Sequence, residues 1–205
     1  MALQFPRLKT LLVMFLFVVG RFPRNYGYRV KAAITVQNWT RFPLIKTALN
    51  IAEGVNDTAA HDIYPGSQWT FNVRKRDRAP QGTYGTVSWV VSGKDQRFIV
   101  MWSAPYSFNW YSNWLGLGMT PKGHTKVAIR NTWFIEMYYT GGNKYLRHTI
   151  KEFYKDVNPV TFRMYGFKIV GTMTSGHHTE ILVKFQPTQK GDAAPGYEKQ
   201  LGFSK

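Results

Sequence analysis

At 205 residues and 44% apolar content the chain is long enough for one globular domain with a sizeable core. Lys and Arg number 27 against 11 Asp and Glu, and a net charge of +16 makes an anionic surface, lipid or nucleic acid, a natural partner. The absence of cysteine excludes disulfide frameworks, thiolate nucleophiles and Cys-type zinc sites, and 7 Trp, 12 Tyr and 14 Phe beside few carboxylates point to binding rather than acid–base catalysis.

The first residues differ from the rest. Met1 to Lys9 is basic, and Thr10 to Gly20 (TLLVMFLFVVG) is uninterruptedly apolar. Residues 1–20 therefore read as a signal peptide, or as an uncleaved hydrophobic anchor, because Val18-Val19-Gly20-Arg21 is a poor small-residue cleavage site. A membrane span would need about 20 apolar residues. From Lys31 onward the dominant period is two: Lys31 to Gln37, Gln68 to Val73, Tyr84 to Val91 and Gln96 to Ser103 read as strands. Val160, Phe162 and Met164 alternate, as do Ile181, Val183 and Phe185. Turn formers at 64–67, 79–82 and 92–95 separate them. Between Val127 and Tyr139 the spacing changes to four, in Ile129, Trp133, Met137 and in Arg130, Phe134, Tyr138, which predicts a short helix. Residues 21–187 are thus expected to form one mainly β domain, a sandwich or barrel. The polar segment 188–205 is expected to be a loosely held tail.

No GxSxG, HExxH, GxGxxG or P-loop occurs. His177-His178 is a poor chelating pair, because neighbours on a strand point to opposite faces, and reads as two surface histidines in a turn. The basic run Arg74-Lys75-Arg76-Asp77-Arg78 reads as a solvated turn, with an anionic-headgroup contact as the functional alternative. Asn38-Trp39-Thr40 and Asn56-Asp57-Thr58 are sequons that matter only in a secreted chain. No cofactor or metal is expected, and no enzyme activity.

One segment carries more information. Met101 to Leu115 (MWSAPYSFNWYSNWL) puts Trp102, Tyr106, Phe108, Trp110, Tyr111 and Trp114 into thirteen residues, broken by Pro105 and Asn109. Amphipathic rings on a loop suit the headgroup level of a bilayer, and bind quaternary ammonium groups by cation–π attraction. On the residues alone, that reading and a buried aromatic core both stand.

SAPYSFNWYSNWL resembles the PY-x-YNWYSNWW signature of actinoporins, the pore-forming cytolysins of sea anemones, and of actinoporin-like proteins in other animals and in plants. Three further segments resemble the family in order: Arg76-Asp77-Arg78-Ala79-Pro80 through Gly85-Thr86-Val87, then Glu136-Met137-Tyr138-Tyr139, then Gly171-Thr172-Met173-Thr174-Ser175-Gly176. The resemblance implies a compact β-sandwich flanked by one or two short α-helices, secreted, acting on a target cell membrane, monomeric in solution and homo-oligomeric on membranes. It implies binding of sphingomyelin or phosphatidylcholine through a phosphocholine pocket of Val87, Ser103, Pro105, Tyr111, Tyr138 and Tyr139, with Phe134 where the family has a further Tyr. The implied membrane interface is Tyr106, Phe108, Trp110, Trp114 and Leu115, the last standing where the family has a second Trp. The family's pocket Ser near Glu53-Gly54 has no clear counterpart, and Gly141-Gly142-Asn143-Lys144 replaces its RGD. The family's amphipathic pore-lining helix has no match between Met1 and Tyr28, where Pro23 and Gly27 interrupt any helix and the apolar run lacks a polar face, so lipid binding is expected ahead of lysis. Sugar or protein recognition on the same sandwich is the alternative. Single-stranded nucleic-acid binding, suggested by charge and rings, is disfavoured by the ordered motifs.

Overall fold

The computed structural model describes residues 30–203; the expected signal or anchor, 1–20, and residues 21–29 lie outside the described residues. Eleven strands follow in chain order: β1 (Lys31–Asn38), β2 (Leu44–Glu53), β3 (Val55–Asn56), β4 (Gln68–Arg74), β5 (Thr83–Val91), β6 (Gln96–Ala104), β7 (Asn113–Met119), β8 (Arg147–Phe153), β9 (Val160–Met164), β10 (Phe167–Met173) and β11 (His178–Pro187). They form two sheets, a six-stranded one ordered β3-β4-β1-β11-β10-β9 and a five-stranded one ordered β2-β5-β6-β7-β8. β1 and β11 pair in parallel, Ile34 beside Ile181, and every other strand pairing is antiparallel. This is the expected β-sandwich.

Period-two patterning places the core between the sheets. Ala32, Ile34 and Val36 of β1 are fully buried, whereas Lys31, Ala33, Thr35 and Gln37 face outward. In the same core, Trp89 and Phe98 of the five-stranded sheet and Phe185 and Phe167 of the six-stranded one form a stacked file with centroid separations of 5.6, 4.7 and 4.6 Å. Burying a file of large rings supplies much of the apolar area that holds the sheets together.

The outer face of the five-stranded sheet carries a second cluster. Ile99 and Met101 of β6 pack there against Trp133, Phe134, Met137 and Leu146. β6 is therefore buried on both faces, which is why apolar residues run through it without alternation. Gly116 of β7 permits the close approach: a Cβ there would lie 2.8 Å from Cε of Met137.

The helix is shorter than its spacing predicts. α1 covers Thr132–Ile135 and continues as a π-helical turn, Glu136–Thr140, closed by Gly141 at φ +76°. Arg130 sits at φ +50°, a left-handed conformation that breaks the chain ahead of α1 and leaves Ile129 exposed. The segment 188–203 is also not loosely held. Asp192 pairs with Arg41 at 3.0 Å and Lys94 at 3.4 Å, Ala194 is fully buried, and Tyr197 packs at a tilt against Trp39 with centroids 5.0 Å apart. The sequon at Asn38 is closed in the folded chain, since its buried amide donates to the Phe42 carbonyl at 2.7 Å.

Candidate functional site: an aromatic pocket beside an exposed tryptophan loop

Register brings four side chains into one row across the outer face of the five-stranded sheet. Tyr84 stands opposite Ser103, Ser103 opposite Trp114, and Trp114 opposite Glu152. The helical segment lies over this row. Phe134 meets Tyr84 at 4.7 Å and lies nearly parallel to Tyr138 at 5.4 Å, while Tyr138 meets Trp114 edge-on at 5.6 Å and Tyr139 at 4.8 Å. Between sheet, helix and the two adjoining loops is a cavity of about 460 Å³. Its walls are Tyr84, Ser103, Pro105, Tyr106, Tyr111, Phe134, Tyr138 and Tyr139, closed on one side by residues 80–82. Tyr111 and Tyr139 form the mouth, 63% and 71% exposed. The wider π-helical turn presents the consecutive Tyr138 and Tyr139 to the same cavity.

The hydroxyls of this pocket are poised as donors. Burial raises the Tyr84 phenol above its ordinary range, helped by the nearby Glu53 carboxylate and Tyr139. Burial likewise raises Tyr138, helped by Tyr139, Glu152 and Tyr111. Both stay protonated, and among the described residues neither phenol nor the Ser103 hydroxyl has a hydrogen-bond partner. Aromatic faces beside unpartnered donors suit a ligand with a cationic and an anionic end.

The 105–112 loop leaves β6 beside this pocket, with Trp110 at 83% exposure. Its base is tied down rather than loose. His177 contacts the Tyr106 carbonyl through Nε2 at 2.8 Å and meets Phe108 edge-on at 4.9 Å. The Asn113 amide donates to the carbonyls of Thr174 at 2.8 Å and Gly176 at 3.1 Å. Trp110 and Tyr111 also edge a groove of about 520 Å³ toward Tyr154 and Lys155. The role of His177 and the presence of Tyr154 depend on tertiary neighbours and have no local sequence signal.

The basic run is a turn whose tip, Arg76 to Arg78, is exposed as expected, while its base is tied down. Arg74 pairs with Asp57 at 2.8 Å and Asp77 at 3.1 Å, and Arg76 with Glu53 at 3.3 Å. Lys75 is buried, donating to the carbonyls of Arg76 at 3.0 Å and Ala79 at 2.9 Å, with its ammonium 5.6 Å from the Tyr106 ring. These bonds fasten the loop that walls the pocket.

Of the residues expected at the pocket, the structure brings together Ser103, Pro105, Tyr111, Phe134, Tyr138 and Tyr139. Val87 is a correction: it is fully buried between the sheets. In β5 the outward positions are those of Tyr84 and Thr86, and a one-residue step reverses the face. Leu115 is a second correction. It pairs with Trp102 inside the core, while its neighbour Trp114 faces outward. Of the other expected interface residues, Trp110 is exposed and Tyr106, Phe108 and Trp114 are half-buried. Among the described residues no cluster of side chains is suited to hold a metal ion, and no helix is long and apolar enough to cross a membrane.

The fold and site define a two-sheet β-sandwich with one helix-covered face, an aromatic pocket on that face and an exposed Trp loop beside it. Residues 28–186 match the family model described as sea anemone cytotoxic protein, and the chain belongs to that family, the actinoporins. It is 44% identical over 167 residues to Tereporin-Ca1 of Terebra anilis, covering 80% of this chain and 88% of that protein. It is 46% identical over 155 residues to Tereporin-Ts1 of Terebra subulata, covering 74% and 75%. Conoporin-Cn1 of Conus consors is 29% identical over an alignment reaching 98% of this chain and 95% of its own. Among solved structures, the lipid binding protein Nakanori superposes with a TM-score of 0.61 at 14% identity, over 79% of this chain and 73% of that one, a likeness of fold. The chain is a toxin-family, actinoporin-like protein and not an enzyme.

Proposed function

We propose that this protein is a secreted cytolysin that recognises choline-headgroup phospholipids, sphingomyelin or phosphatidylcholine, and oligomerises on the target membrane from a soluble monomer. The observation that carries the reading is the pairing of aromatic faces with unpartnered hydroxyls in one pocket, next to the exposed Trp110. The rings of Tyr111, Tyr138 and Tyr139 offer a quaternary ammonium cation–π contacts worth about 0.5–2 kcal/mol each. The hydroxyls offer donors to the adjoining phosphate, and a cavity of about 460 Å³ is of ligand-binding size. Trp110 would then reach the headgroup level, where indole rings are favoured.

Cosedimentation of the protein with equimolar sphingomyelin–phosphatidylcholine vesicles, against phosphatidylglycerol vesicles of equal size, tests this reading. Binding that requires the choline headgroup and is competed by soluble phosphocholine supports it. Binding that follows the anionic vesicles, or that is competed by sugars and not by phosphocholine, overturns it, and the second outcome favours sugar recognition on the same sandwich.

A further inference from the structure

We propose that Tyr84 is a headgroup-binding residue of this pocket, donating its phenolic hydroxyl to the phosphate, an inference that rests on the choline-headgroup reading above. Tyr84 stands on the outer face of β5, lines the cavity and is paired across the sheet with Ser103, so its side chain enters the pocket beside the Ser103 hydroxyl. One face of its ring is covered by Phe134, with centroids 4.7 Å apart. The covered ring is poorly placed to offer its π-face to a cation, whereas Tyr111 and Tyr139 at the mouth are open to do so. What Tyr84 has left to offer is the hydroxyl, which has no hydrogen-bond partner among the described residues. Burial and the Glu53 carboxylate keep that hydroxyl protonated, hence a donor. Phe134, packed against it at a tilt, carries no hydroxyl, so at this ring pair Tyr84 is the phenolic donor. The hydroxyl is reached by water, and exchanging that water for a charged phosphate oxygen gives a stronger, charge-assisted hydrogen bond.

The two packed rings make a reciprocal exchange possible. Tyr84→Phe removes the hydroxyl and keeps the ring, and Tyr84→Phe/Phe134→Tyr returns a hydroxyl from the other partner of the same pair. Affinity is measured for sphingomyelin–phosphatidylcholine vesicles, soluble phosphocholine and choline, with the melting temperature recorded for each protein. Loss of one hydrogen bond to a charged acceptor predicts that Tyr84→Phe weakens vesicle and phosphocholine binding by about tenfold. Choline binding and thermal stability should be unchanged, and the double variant should recover part of the loss. Undiminished phosphocholine affinity in Tyr84→Phe would overturn the assignment, and so would an equal loss for choline and phosphocholine. Tyr139→Ala separates the two levels of the account. If the parent binds and Tyr139→Ala does not, while Tyr84→Phe binds fully, only Tyr84 is misassigned. If the parent shows no choline-headgroup dependence, the pocket reading itself fails.

Discussion

Replacing Trp110 by Ala separates membrane contact from folding more cleanly than any other single change. The ring is 83% exposed at the loop tip, so truncation leaves no cavity and removes little packing. A tryptophan presents up to about 250 Å² of surface, so roughly 200 Å² of it faces water before binding. Full transfer of that area to an apolar medium at about 25 cal/mol per Å² is worth roughly 5 kcal/mol, an upper limit for a ring that stops at the headgroup level. If half of that area leaves water, about 2.5 kcal/mol, the affinity for vesicles falls by roughly 50- to 100-fold. The assay is vesicle cosedimentation over a lipid titration, with the melting temperature followed by calorimetry. Trp110→Ala should melt within about 1 °C of the parent. A fall of many degrees with vesicle affinity retained would show that the ring belongs to the fold, and the loop assignment would be refuted.

Tyr138→Ala should weaken choline-headgroup binding by roughly tenfold and also lower stability, because it removes a ring stacked on Phe134 and edge-on to Trp114; Tyr139→Ala, at the open mouth, should weaken binding with little thermal change. Leu115→Ala should do the reverse of Trp110→Ala, costing about 2–5 kcal/mol in denaturant unfolding while the affinity of the folded fraction for vesicles is kept. His148 should make stability pH-dependent. Burial lowers its pKa below the ordinary 6.5, against a smaller opposing effect of the Met137 carbonyl, so below that value the unfolded chain takes a proton that the folded one resists. Stability is then full above about pH 6.5 and declines as pH falls toward the lower folded value, and urea midpoints between pH 7.5 and 5 should show a slope that His148→Gln flattens. A slope unchanged in that variant would assign the titration elsewhere.

Strands with one buried face were legible because alternation is a local signal: β1, β9 and β11 are read directly from Ile34, Phe162 and Val183 with their neighbours. Five strands were not: β2, β3, β7, β8 and β10. β2 carries register shifts and a left-handed Lys46, which break its period. β7 (NWLGLGM) is buried on nearly all sides and rich in glycine, and β8 (RHTIKEF) is polar and half-buried or exposed as far as its buried last residue, Phe153. The aromatic motif falls on residues that line the cavity, but a motif does not state which face of a strand a residue occupies. Val87 and Leu115 were misplaced for that reason, and Tyr84 was overlooked, each by a matter of strand parity. The anchoring of 188–203 by Asp192 and Tyr197, and of the Trp loop by His177, arises from contacts between segments far apart in sequence.

The central claim, that this pocket holds a choline headgroup, is tested most directly by ring resonances of selectively labelled tyrosines during titration with soluble phosphocholine. The account predicts saturable shifts at Tyr84, Tyr111, Tyr138 and Tyr139 with one common dissociation constant, and none at the exposed Tyr64 and Tyr165 outside the pocket. Saturable shifts confined to Tyr64 or Tyr165, or no saturable shift at the pocket tyrosines while the protein still binds choline-headgroup vesicles, would contradict it.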